Sequence, residues 1–124
     1  MITTVSLSFA ALTIDSADPV ALADFWGKAL GRPVNPGAIA GDTRVDATSP
    51  ESGPTLVLHN PPEPRAAKNS VHIVLITDNY DQEIERLTSL GAKPLNEVKL
   101  PMVRQTTFAD PEGNEFYLVI WQSE

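Results

Sequence analysis

A chain of 124 residues with 42% hydrophobic side chains is sized for one soluble domain with a sizeable core. Its formal net charge of −7, with the few basic residues scattered, argues against nucleic acid or an anionic membrane surface as partner. The absence of cysteine excludes disulfides, thiolate nucleophiles and sulfur-ligated metals, and it fits a reducing cytoplasm, the expected compartment.

Residues 5–14 are apolar enough to imitate an export signal. No Lys or Arg precedes them and no cleavage pattern follows, so residues 7–15 read as a strand. Asp18-Pro19 then starts a helix, since Asp accepts from free N–H groups and Pro at the first helical position gives up a donor that had no partner. Leu22, Phe25, Trp26, Ala29 and Leu30 recur at helical spacing as one apolar stripe, and Gly31 and Pro33 end it. Residues 43–47 and 55–59 read as strands of a meander divided by Pro and Gly. Residues 61–69 form a Pro-rich linker that opens in a stiff, extended stretch. Beyond it the order repeats: a strand over 71–77, a helix over 78–90 with Asp78, Asp81 and Glu83 at its positive end, Gly91, and strands over 94–98, 102–108 and 115–121. No stretch approaches the ~20 apolar residues of a membrane span.

The repetition is also residue by residue. Asp18 and Asp78, Leu30 and Leu90, Gly31 and Gly91, Arg44 and Arg104, Gly53 and Gly113, and Leu58 and Leu118 match at one constant spacing, at helix starts, helix stops and the turn before a last strand. Such placement predicts an α+β domain of two tandem βαβββ modules, residues 1–60 and 70–124, whose equivalent strands enclose a cavity.

Asp18-Pro19 with Leu22-Ala23 and Phe25-Trp26, then Ala29-Leu30-Gly31, Asn69 with His72, Leu90-Gly91-Ala92 and the turn 110–116 (Asp-Pro-Glu-Gly-Asn-Glu-Phe) resemble the vicinal oxygen chelate superfamily, in its glyoxalase-like-domain branch. The resemblance covers nearly the whole chain. It implies a curved mixed sheet around a central cavity, commonly in a homodimer, with small organic substrates or drugs bound inside. Family enzymes hold a divalent metal with His or Gln on the first strand and Glu on the last strand of each module. Carried over, these positions fall on Leu12, Val57, His72 and Tyr117, of which only His72 is a ligand of the usual kind, so no cofactor is expected.

A displaced metal site built from His59, His72 and Glu115 is the alternative, since His59 and Glu115 share the inward parity of Val57 and Tyr117. Arg44 and Arg104, at matching places in the repeat, are candidates to bring two guanidiniums to an anionic ligand. Tyr117 is a hydrogen-bond donor into a cavity shaped by Leu12, Val57 and Val74, and His72 is expected on the cavity wall. The charged turn 110–113 reads as architecture, because Pro and Gly at those offsets make a tight turn. Three functions are compatible with these residues: metal-independent binding of a small molecule; an enzyme using His72 as base with Tyr117 as donor, or the displaced metal; and a domain for association alone.

Overall fold

The helices form where the chain chemistry requires, and they set the architecture. The computed structural model describes residues 9–37, 41–62 and 71–121. Asn69, residues 1–8 and most of the linker therefore lie outside the described residues. Helix α1 spans Pro19–Leu30; Asp18 accepts from Ala21 N at 3.2 Å, and Gly31 ends the helix at φ 65, a left-handed conformation that glycine adopts without steric cost. Helix α2 spans Tyr80–Leu90. It starts at Asn79 rather than the expected Asp78, so it is one residue shorter than α1.

Eight strands make two four-stranded sheets. The first sheet comprises β1 (Ala11–Asp15), β2 (Val34–Pro36), β3 (Asp42–Val45) and β4 (Thr55–His59), in the order β1-β4-β3-β2. The second repeats that order as β5-β8-β7-β6, with β5 (Ile73–Ile76), β6 (Lys93–Lys99), β7 (Val103–Ala109) and β8 (Glu115–Trp121). In each sheet the first strand pairs parallel with the last and the other pairings are antiparallel, so the α+β fold of two βαβββ units is present. The short β2 was not anticipated, because Pro33 and Pro36 flank too few residues to show alternation.

One hydrophobic core serves both units. Leu22, Phe25 and Trp26 of α1 pack with Leu56 and Leu58 of β4, and also with Phe108 and Phe116 of the second sheet. Trp26 and Phe116 meet edge to face at 4.9 Å, and Phe108 stacks on Phe116 at 5.4 Å. Burying aromatic rings of this size dominates core energetics. Each sheet thus turns one face to the helices and leaves the other, its open face, away from them. Among the described residues no helix is long and apolar enough to cross a membrane.

The second unit also holds both ends of α1. The Glu112 carboxylate accepts from Ser16 Oγ at 2.7 Å, Ala17 N at 2.8 Å and Asp18 N at 3.1 Å, at the positive end of the helix. Arg86 of α2 donates to Lys28 O at 3.1 Å and Ala29 O at 2.8 Å, among the last carbonyls of α1. Acid at the start and base at the end both complement the dipole of one helix.

Candidate functional site

Strand register decides which side chains share a face. Leu56 and Leu58 of β4 are buried against α1, so Thr55, Val57 and His59 belong to the open face of the first sheet. The β1 partners of Leu56 and Leu58 are Leu12 and Ile14, which places Leu12 on the core side, with Ala11, Thr13 and Asp15 on the open face. In the second sheet Ile73 pairs with Phe116 and Val74 with Tyr117, so His72, Val74 and Ile76 lie on its open face. By register the counterpart of His72 is Ala11, not Leu12. The repeat slips by one residue between the first strands and the last strands, at the shortened α2, and a one-residue slip turns every side chain to the other face.

The two expected arginines separate for the same reason. Arg44 lies opposite Val57 on the open face, whereas Arg104 lies opposite Ile120 on the helix side. Arg104 sits 4.5 Å above the Tyr80 ring and is bound to Glu97 at 2.7 Å. Arg44 holds Asp46 through Nε at 3.0 Å and a second nitrogen at 2.6 Å. The Asn35 amide also donates to Asp46, and this bond, ahead of Arg44 and against the opposing effect of burial, keeps the carboxyl below its ordinary range. Two guanidiniums do not converge on one ligand.

The histidines part company as well. His59 Nδ1 donates to Asp42 Oδ1 at 2.6 Å on the first sheet, since a carboxylate can only accept. His72 is exposed and its ring stacks on the half-buried Tyr117, 5.5 Å between centroids and 8° from parallel. Among the described residues no three of His, Cys, Asp and Glu come together as a metal-binding group, so the set His59, His72 and Glu115 is not assembled.

Between the units, β1 and β5 wall a cleft of about 220 Å³. Leu12, Ile14, Trp26, Ile73 and Phe116 supply its apolar lining, and Asp110, Asn114 and Glu115 its polar part. Asp110 is fixed there by donors, accepting from Trp26 Nε1 at 3.1 Å and from Glu112 N, Asn114 N and the Asn114 amide. Val71 and Ile73 line the cleft, while the intervening His72 does not. The imidazole expected on the wall therefore stands on the adjoining open face, beside exposed Val74 and Ile76.

A family model described as a glyoxalase-like domain matches residues 11–119. The chain belongs to the glyoxalase-like domain family. Solved structures with the same fold include a glyoxalase/bleomycin resistance protein/dioxygenase family enzyme from Burkholderia phytofirmans PsJN, with a TM-score of 0.75 and 15% identity over 94% of this chain and 100% of that one. TnmS3, an antibiotic binding protein from Streptomyces sp. CB03234, aligns with a TM-score of 0.71 and 23% identity over 96% of this chain and 100% of that one. A glyoxalase-related enzyme from Fulvimarina pelagi aligns with a TM-score of 0.69 and 17% identity over 91% and 87% of the two chains. No curated protein matches the sequence. In this glyoxalase-like domain the metal positions that the superfamily resemblance implies are filled by Ala11, Val57, His72 and Tyr117. One imidazole among aliphatic and phenolic side chains does not fit the His and Glu set of a divalent site.

Proposed function

We propose that this glyoxalase-like domain binds a small, partly aromatic or anionic organic molecule at the inter-module cleft and its adjoining open face, without a metal and as a homodimer. The carrying observation is the His72–Tyr117 stack beside the cleft, with Val74 and Ile76 each more than half exposed on the same face. A planar ligand extends such a stack, and aromatic pairs contribute ~0.5–1.5 kcal/mol beyond area burial. Exposed apolar side chains of this kind also suit coverage by a ligand or a second subunit. The antibiotic-binding neighbour supports a binding role by analogy of fold.

The two histidines, one in each module, make the test internal. Titrating a panel of planar aromatic carboxylates into the protein should move the imidazole NMR signals of His72 and leave those of His59 in place. Tyr117→Ala should weaken that binding several-fold while the fold persists. A panel that moves neither imidazole would sink the proposal, and light scattering reads the dimer separately. A catalytic reading rests on one observation, the His59–Asp42 pair, because a carboxylate that orients an imidazole is the arrangement of a general base. Ligands that move His59 instead of His72 favour it.

A further inference from the structure

Two sheet edges face the cleft with no described strand between them. Ser16 N donates to His59 O at 2.7 Å and Thr55 N donates to Ala10 O at 3.1 Å, which turns the backbone groups of residues 10, 12, 14 and 16 towards β4. In a parallel pair the intervening residues point the other way, so the N–H and C=O of Thr13 are directed away from the sheet. On β5, Thr77 N donates to Val119 O at 3.0 Å, and by the same alternation the backbone groups of Val74 are directed away from β8. Neither Thr13 nor Val74 has a backbone hydrogen-bond partner among the described residues.

The spacing excludes direct pairing of the two edges. Hydrogen-bonded strands lie about 4.8 Å apart, whereas no Cα of β1 lies within 8 Å of a Cα of β5. These edges are too far apart to pair with each other, yet both wall one cleft of about 220 Å³. One inserted strand needs about twice the single spacing. We infer that the cleft takes a ligand with an extended amide backbone, a short peptide that adds as a strand between β1 and β5. The inference rests on the proposed role of the cleft as a ligand site and names the class of ligand.

Main-chain hydrogen bonds to Thr13 and Val74 supply the affinity in this mode, and pockets for alternate side chains supply selectivity. Alternate residues of the inserted strand would face Leu12, Ile73 and Phe116, which calls for apolar side chains there. Residues in between would face the open side. There the chain's net charge of −7 favours a basic residue.

The probe is an acetylated, amidated pentapeptide of alternating Val and Lys, beside the same peptide N-methylated at every residue. Amide hydrogen exchange should be fast at Thr13 and Val74 in the free protein and at least tenfold slower with saturating peptide, and the N-methylated peptide should give no such protection. Thr13→Pro removes only an outward N–H, which an edge strand tolerates, and should weaken the peptide several-fold. If that variant fails to fold, the two peptides still decide. Amides already protected in the free protein would mean that another stretch of this chain fills the gap. That result overturns the inference, as do unprotected amides at millimolar peptide or equal binding of the N-methylated peptide. Movement of His72 by a planar ligand, with no protection by peptide, would leave the proposed function standing and remove this inference alone.

Discussion

The two open faces come from one repeated unit and have opposite chemistry. On the first sheet the polar groups satisfy one another: His59 with Asp42, and Arg44 and Asn35 with Asp46. On the second, a histidine and a tyrosine stack among exposed Val74, Ile76 and Trp121. The helices diverge in the same direction. Helix α1 buries Leu22, Ala23, Phe25, Trp26 and Ala29, whereas α2 buries only Tyr80 and Leu87. A duplicated backbone has therefore been divided between tasks, with the helix of the first unit supplying most of the buried helical residues and the second unit supplying contacts to α1 on one side and an apolar surface on the other.

The strongest way to break that comparison is at α1. Trp26→Ala should cost about 3–5 kcal/mol in urea unfolding, because the ring is 1% exposed and its N–H serves Asp110. A loss below that of Leu87→Ala in α2 would contradict the division. Next comes the acid that serves the start of α1. Glu112→Ala should cost about 1.5–3 kcal/mol, the range for hydrogen bonds to a charged group, and Ser52→Ala at the repeat-equivalent position should cost clearly less. Equal losses would show that the two turns do the same work.

Acid pH sharpens the contrast between the faces. Asp46 is lowered from an ordinary value of 3.8, first by the Asn35 hydrogen bond and then by Arg44. A carboxyl lowered in the folded state stabilises it above the unfolded value, and that contribution disappears as pH falls through the lowered one. Asn35→Ala should move the Asp46 midpoint up towards 3.8 in a carboxyl NMR titration; an unmoved midpoint would reject the assigned cause. The smallest effect belongs to Trp121, which is 67% exposed. Trp121→Ala should change stability by no more than ~0.5 kcal/mol, as is usual for surface positions, and a larger loss would mean that the second open face is covered in solution.

Elements whose signals are local could be read from the chain. β4 and β8 begin and end where alternation and turn residues placed them, and α1 follows from Asp18, Pro19 and Gly31. Features that depend on register or on distant contacts could not. The matched spacing of Arg44 and Arg104 suggested one shared site, but the counterpart of Arg44 by register is Thr107, the partner of Tyr117, and Arg104 points to the helix side. The slip at α2 that moved Leu12 to the core side leaves no mark beyond a missing residue. The turn 110–113 read as architecture from Pro and Gly, yet its carboxylate reaches residues 94–96 positions away, which no local pattern reveals. A hint was present all the same, in an acidic residue at the tip of a turn and a helix start still short of acceptors.

The reach of Glu112 bears on how the chain acquires its structure. In synthesis from the amino end, α1 is complete long before Glu112, Asp110 and Phe116 exist, and all three are needed to finish its surroundings. Contacts separated by 84 and 96 residues are non-local for a chain of this length, and non-local contacts slow folding because loop closure precedes their gain. Until the last strands emerge, the indole of Trp26 has no acceptor and no ring to pack against from the second unit. The surroundings of α1 can therefore be completed only after the 110–116 turn and β8 have been made.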